Sequence, residues 1–298
     1  MASLFAFGRA QLASVYRRNG AGRHARWWGG AVKAALPVTE GSLSAVIEHE
    51  IIPRLVASRP RRPVLAVAGA PGASIADADF EVFVPLALSA EADDLLDHAE
   101  GLIARGVSID TLLVDLLAPT ARILGEYWES GRCDFVDVTM GMWRLQEVVH
   151  ELSARVPVTL PYGKGWRALF SPVPGDQHSF ASVVLDEIFA REGWFTDRLG
   201  ETTAPALLDK VAADWFDLIG LTIGCASHMA ALPSFIAALR GVSVNPRLVV
   251  MVGGGIFVEA PSLAAEVGAD GTAADARQAV NVASKLVSAV PRREAARG

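Results

Sequence analysis

Residues 167–189 read RALFSPVPGDQHSFASVVLDEIF, which is a short apolar run, a polar turn and a helix-like segment. The same succession returns along the rest of the chain. The predicted strands are 168–172, 195–198, 218–223 and 248–252. Strands that alternate with helices form a parallel sheet wound by right-handed crossovers. We therefore predict an α/β domain over residues 165–292, with a parallel sheet and helices on both faces.

The part of the chain before this domain has helical spacing and no convincing strand. The predicted helices are 80–88, 91–105, 109–128 and 135–152. They follow one another with short polar breaks, which is typical of a small antiparallel bundle. We predict an all-α four-helix bundle over residues 77–157.

Residues 1–76 form an N-terminal extension in this scheme. Apolar residues at helical spacing predict one amphipathic helix over about 42–58. The proline- and arginine-rich stretch 59–63 and the small residues of 68–74 then predict a linker.

Composition narrows the class of protein. The chain has 298 residues, 51% of them hydrophobic, which suits about two domains with sizeable cores. A net charge of −6 does not indicate the basic surface that is typical of nucleic-acid-binding proteins. The first 30 or so residues are basic, but no helix-turn-helix pattern there supports direct DNA binding. Two cysteines and the absence of a secretory signal or an 18-residue apolar run predict a soluble, cytoplasmic protein without a membrane anchor.

Three loops are expected to meet at one edge of the sheet, because ligands of such sheets bind outside the carboxyl ends of the strands. The loops are 174–178, 222–227 and 253–255. In the first, Asp176 precedes His178 by two residues. A histidine so placed can offer one nitrogen to a metal while it donates its other N–H to the carboxylate.

Cys225 and His228 are a second candidate pair for zinc or haem iron. No second Cys/His pair completes a zinc site in the sequence. A small buried cysteine and a first-turn helix histidine are the plainer interpretation. Haem binding through His178 or His228 stays open as an alternative.

The residues at the predicted edge resemble those of the cobalamin-binding Rossmann-like (flavodoxin-like) domain. The matching segments are Asp176-Gln177-His178, Thr222-Ile223-Gly224, Gly253-Gly254-Gly255 and Gly268-Ala269-Asp270-Gly271-Thr272. The resemblance implies that His178 replaces the dimethylbenzimidazole of the cofactor as the lower cobalt ligand. It also implies that the displaced nucleotide tail inserts beside the glycine-rich strand end, near Thr222 and Thr272. One departure is Ala181, where the family motif has glycine.

The predicted bundle is similar to the helical cap that covers the upper face of the corrin in this family. The resemblance lies in Leu116-Leu117-Ala118-Pro119 and in Leu124-Gly125-Glu126-Tyr127-Trp128. One light-sensing branch has a Glu-His pair ten and eleven positions after the cap tryptophan, and here Val138 and Thr139 stand there. The resemblance then implies an upper cobalt face under Trp128 that is open to water, hydroxide or an alkyl group. Hydroxo-, methyl- and adenosylcobalamin are the implied cofactors, with haem as the alternative.

Residues 128–139, Arg144-Leu145-Gln146 and Ile47-Glu48-His49-Glu50-Ile51-Ile52-Pro53-Arg54-Leu55 resemble one branch in particular. This branch is the AerR/PpaA antirepressors of photosynthesis-gene expression in purple bacteria. The resemblance implies a light- or redox-responsive transcriptional regulator, a sensor and not an enzyme, whose partner is a repressor of the PpsR/CrtJ type. A corrinoid carrier for methyl transfer and a haem-binding sensor are the alternatives. The sequence leaves the oligomeric state open.

Overall fold

The bundle helices occupy the first part of the computed structural model, which describes residues 72–155, 165–200 and 202–289. The helices are α1 (Asp77–Ser89), α2 (Ala92–Ala104), α3 (Ile109–Leu112), α4 (Ala118–Glu129) and α5 (Phe135–Arg155). A π-helical turn, Leu113–Leu117, joins α3 to α4 without a break, so the three together form the single helix predicted over 109–128. The predicted all-α bundle is confirmed. The amphipathic helix predicted over 42–58 lies outside the described residues.

The sheet has four parallel strands in the order β2-β1-β3-β4. They are β1 (Arg167–Pro172), β2 (Phe195–Arg198), β3 (Leu218–Thr222) and β4 (Val249–Gly253). Beyond β4, Gly271 makes one isolated parallel bridge to Met251. The parallel Rossmann-like sheet predicted from the sequence is confirmed.

Helices connect and cover these strands. They are α6 (Phe180–Arg191), α7 (Ala204–Ala213), α8 (Leu232–Val242), α9 (Gly255–Glu259), α10 (Leu263–Glu266) and α11 (Ala276–Ala289). The sequence of residues 228–239 predicts a helix, and in the structure a 3₁₀ segment, Ala226–Ala231, precedes α8. The short helix α9 was not expected from the sequence.

Two hydrophobic clusters cover the two faces of the sheet. Alternate strand residues point to opposite faces, so Phe170 and Met251 enter one cluster while Leu169 and Val250 enter the other. The first cluster also contains the bundle core, including Leu113 of the π-helical turn. The bundle and one face of the sheet therefore share a continuous core.

An ion pair marks the contact between the bundle and α11. The guanidinium of Arg277 donates to both carboxylate oxygens of Asp115, over 2.9 and 2.7 Å. It also donates to the backbone carbonyl of Asp110 over 3.1 Å. Because both side chains are about two-fifths exposed, the ion pair contributes at most about 1 kcal/mol to the stability of the fold. Among the described helices, none has the length and apolarity needed to cross a membrane.

Candidate functional site

Asp176 and His178 form a hydrogen-bonded pair in the loop after β1. Oδ1 of Asp176 accepts from the backbone N–H of His178 over 3.0 Å and lies 2.6 Å from Nδ1 of the ring. Oδ2 accepts from the backbone N–H of Gly224, after β3, over 2.6 Å. The carboxylate is buried, and its hydrogen bonds connect the loops that follow β1 and β3.

The charges in this pair reinforce one another. Burial alone would raise the pKa of Asp176, but hydrogen bonds from the His178 ring, the Gly224 amide and the His178 amide outweigh it and lower the pKa to about 2. The hydrogen bond to Asp176 in turn raises the pKa of His178, against an opposing effect of burial. Asp176 is therefore a carboxylate at neutral pH, and it holds the proton of His178 on Nδ1.

The imidazole of His178 projects from this anchor toward solvent. Its side chain is 58% exposed, and no described residue hydrogen-bonds to Nε2. An imidazole that donates Nδ1–H to a carboxylate and leaves Nε2 accessible is the usual form of a histidine metal ligand. Gly224 permits this position, because a Cβ there would lie only 2.5 Å from Nδ1 of the ring.

Backbone segments approach one another closely at the ends of β3 and β4. The amide of Ile223 donates to the carbonyl of Gly253 over 2.9 Å. Gly254 has φ +133°, and a Cβ on it would overlap the carbonyl oxygen of Ile223. Around Gly253 and Gly255 a Cβ would meet no atom within 4 Å, so the strand end has open space beside it. The predicted glycine-rich edge is thus a tight turn next to a free volume.

Two buried hydroxyls near this edge have no hydrogen-bond partner among the residues that the structure describes. They are Oγ1 of Thr222, at the end of β3, and Oγ1 of Thr272, directly after the residue that bridges Met251. An unpaired buried hydroxyl is costly, which favours a ligand that supplies the missing partner. Both residues were expected from the sequence to contact a cofactor, and the geometry fits one with polar groups.

The other predicted site residues lie on the bundle. Trp128 is the last residue but one of α4 and has 47% of its surface exposed, and Val138 and Thr139 lie near the start of α5. The hydroxyl of Thr139 donates to the carbonyl of Phe135 over 2.7 Å, so its proton is engaged within the helix. No hydrogen bond among the described residues joins these three residues to the sheet edge. Gln177, between Asp176 and His178, is exposed.

Glu129 is a residue that the sequence did not single out. Its negative charge contributes to the raised pKa of His178, after the larger effect of Asp176, and also to the raised pKa of Cys225, after burial and Asp176. The charge of Glu129, the last residue of α4, therefore acts on both loops at the sheet edge. The only sequence signal was its position directly after Trp128.

The alternative pair, Cys225 and His228, follows β3. Cys225 is exposed with a free thiol, and burial of its sulfur raises its pKa, which disfavours the thiolate that binds metals. Across the described ranges, no group of three or more His, Cys, Asp or Glu side chains could hold a metal ion. A structural zinc site of the usual kind therefore has no support in the described part of the chain.

Together, the parallel sheet, the carboxylate-anchored histidine and the unpaired hydroxyls define an α/β protein with a cofactor-binding sheet edge and a helical bundle. Residues 166–281 match the family described as B12 binding domain. This match covers the whole sheet and its strand-end loops, including Asp176, His178 and Thr272.

Two curated proteins resemble a larger part of the chain. An uncharacterized 20.5 kDa protein of the bchF-crtJ intergenic region of Rhodobacter capsulatus is 27% identical over 171 residues, which are 56% of this chain and 87% of that protein. A corrinoid protein of Desulfitobacterium hafniense (strain Y51) is 24% identical over 220 residues, which are 72% of this chain and 94% of that protein.

A solved structure shares the fold. The monomethylamine corrinoid protein of Methanosarcina barkeri aligns with a TM-score of 0.59 and 16% sequence identity. The alignment covers 70% of this chain and 98% of that one. At this identity the likeness supports the arrangement of bundle and sheet alone.

Proposed function

We propose that this chain is a cobalamin-binding, light- or redox-responsive regulator that acts on a repressor of the PpsR/CrtJ type and is not itself an enzyme. The observation that carries cobalamin binding is the arrangement of His178, which is held by buried Asp176 with Nε2 exposed. The match of residues 166–281 to the B12 binding domain supports the same cofactor.

In this proposal each predicted residue has a part in binding. His178 would hold the cobalt, and Asp176 and Gly224 would orient its ring. The hydroxyls of Thr222 and Thr272, which have no partner among the described residues, would hold the nucleotide tail beside Gly253, Gly254 and Gly255. Trp128, Val138 and Thr139 would cover the side of the corrin away from His178. The cofactor supplies a cobalt–carbon bond that light can break, and the chain supplies the pocket and its electrostatics.

The regulatory part of the proposal rests on the upper face. Because Val138 and Thr139 carry no imidazole, this part of the bundle offers no histidine to the upper cobalt face. A change of the group bound at that face would alter how Trp128 and its neighbours pack. The bundle is the element whose conformation would then change. The Rhodobacter capsulatus relative comes from the bchF-crtJ region, and crtJ shares its name with the proposed class of repressor.

A corrinoid carrier for methyl transfer is the second candidate. The Desulfitobacterium relative, described as a corrinoid protein, favours it, because that similarity extends over 72% of this chain. A carrier requires a donor enzyme, whereas a regulator requires a repressor. Methyl transfer from a supplied donor would favour the carrier, and capture of a purified repressor would favour the regulator.

The absorption spectrum and mass of the cofactor in protein produced with cobalamin test the first step. We expect a cobalamin mass, a spectrum altered by imidazole ligation, and a change on illumination of an alkyl form. His178→Ala should lose the imidazole signature, whereas His228→Ala, at the 3₁₀ segment after β3, should keep it. An unchanged spectrum and affinity in His178→Ala would refute the lower-ligand assignment, and a haem mass would replace cobalamin by haem.

A further inference from the structure

Helix α5 carries an exposed apolar surface. Val136, Met140 and Trp143 are 63%, 40% and 51% exposed. Their spacing of four and then three residues places them on one face of the helix. We call these three residues the α5 stripe. Single exposed apolar residues are ordinary, but three in helical register, one of them tryptophan, are typical of a protein-binding surface.

The stripe lies opposite the face that α5 buries in the bundle. Leu145, Val148 and Leu152 belong to the core. At about 100° per residue, the centre of that buried face and the α5 stripe lie on opposite sides of the helix. The stripe is therefore not a frayed part of the core, and packing within the bundle does not explain it.

Hydrogen bonds connect helix α5 to the end of α1 beside the stripe. Nη1 of Arg144, the residue next to Trp143, donates to the carbonyls of Ala87 and Leu88 at the end of α1, each over 3.0 Å. Thr139, three positions after Val136 and four before Trp143, borders the stripe, whereas Val138 lies on another side of the same helix. A displacement of α5 at the proposed cofactor would therefore move the stripe with it.

The chain segment that leads into the stripe is acidic. The segment of residues 126–137 contains four carboxylates, Glu126, Glu129, Asp134 and Asp137, and one cation, Arg132. Four negative charges and one positive charge give a local net charge of −3. Arg132 stacks over the ring of Tyr127, 3.8 Å from its centroid. A second copy of this chain would bring the same negative charges to the contact, whereas a basic partner would find a complementary surface.

We propose that the α5 stripe docks an amphipathic helix of a partner protein, with apolar residues at i, i+4 and i+7 and lysine or arginine residues beside them. This inference rests on the proposed function, since a regulator has to present a surface to its partner. Trp143 is the main anchor, Val136 and Met140 extend the contact, and the acidic segment 126–137 selects a basic partner over an acidic one.

The test uses the full chain loaded with hydroxocobalamin and a labelled synthetic helix of leucine, lysine and alanine with this spacing. A second peptide has glutamate in place of lysine. We expect the lysine peptide to bind, and the glutamate peptide to bind at least about tenfold more weakly. Trp143→Ser should weaken binding of the lysine peptide by about tenfold or more. Val258→Ser is the matched control, because Val258 is 48% exposed on α9 of the sheet domain.

Three results would overturn the inference: equal peptide affinity in wild type and Trp143→Ser, equal affinity for both peptides, or dimerisation of the free protein that Trp143→Ser abolishes. The last would make the stripe a contact between copies. The cobalamin spectrum, recorded on the same samples, reports cofactor binding separately. A failure of the proposed function at His178 is thereby distinguished from a failure of docking at Trp143.

Discussion

The backbone N–H of Gly224 donates a 2.6 Å hydrogen bond to Oδ2 of Asp176, a residue 48 positions earlier in the chain. The other oxygen of the same carboxylate holds the ring and the backbone of His178. The imidazole thus stands where the loops after β1 and β3 meet, and neither loop alone would hold it.

Gly224→Ala should displace the imidazole of His178, because the new Cβ would lie 2.5 Å from Nδ1. Loss of a group that orients a metal ligand typically lowers metal affinity by about 10–100-fold. We expect a loss of that size in cobalamin affinity, measured by titration and absorption. Gly241→Ala is the control, since its Cβ meets nothing within 4 Å. Unchanged affinity in Gly224→Ala would remove Gly224 from the site.

Gly254→Ala should destabilise the protein by about 3 kcal/mol or more, because φ is +133° and the Cβ would strike the carbonyl of Ile223. Its neighbour provides the comparison. Gly255→Ala places a Cβ in open space at the start of α9, so it should cost little. Urea unfolding of the apo proteins measures both. Equal midpoints for the two variants would contradict the close approach of the β3 and β4 ends.

Asp176 should make stability depend on pH in the acid range. Its pKa is lowered from 3.8 to about 2 in the folded state, so it stabilises the fold above about pH 4. This contribution, about 2 kcal/mol, is lost as the pH falls through 2. Asp176→Asn should flatten this part of the profile and lower the pKa of His178. Urea unfolding from pH 2 to 6 and NMR titration of the imidazole provide the measurements. Parallel stability profiles for wild type and Asp176→Asn would contradict the interaction between Asp176 and His178.

Thr222→Val removes a buried hydroxyl that has no partner in the described part of the chain. Stability of the apo protein should stay equal or rise, because an unpaired polar atom is deleted. Cobalamin affinity should fall by about tenfold, the value of one hydrogen bond. Thr120→Val is the control: Thr120 is equally buried and unpaired, but it lies in α4, away from the sheet edge. A similar fall in affinity for both variants would point to a general change in structure.

Glu129→Gln should lower the pKa of His178, because one of the negative charges that favour its protonated form is lost. The shift should be smaller than that of Asp176→Asn, since the hydrogen bond to Asp176 is the larger cause. Glu126→Gln, one turn earlier in α4, serves as the comparison. NMR titration of His178 in the apo protein distinguishes them. An unchanged pKa in Glu129→Gln would place the end of α4 farther from the sheet edge.

The sequence predicted the sheet well because its strands are short apolar runs separated by helices of ordinary length. The observed β2 coincides with the predicted 195–198, and β1 extends the prediction by one residue. The π-helical turn at Leu113–Leu117 could not be predicted, because its residues suit an α-helix equally well. The short helix α9 was missed because it begins at Gly255, and glycine has a low helix propensity.

At the candidate site, local residues were easier to predict than long-range ones. Asp176 and His178 are two positions apart, so their hydrogen bond followed from spacing alone. The contact of Asp176 with Gly224 and the charge of Glu129 near His178 depend on how separate loops and the bundle meet. The unpaired state of the Thr222 hydroxyl likewise appears only once its neighbours are in place.

The core that joins the bundle to one face of the sheet limits how this chain can change over evolutionary time. Leu113, Phe170, Ile188 and Met251 belong to the same apolar cluster. A bundle taken from another protein would have to pack against the same sheet residues. The bundle and the sheet domain are therefore not interchangeable. Trp128 lies outside this cluster, and 47% of its surface is exposed. Substitutions at Trp128 would therefore leave the core shared by bundle and sheet in place.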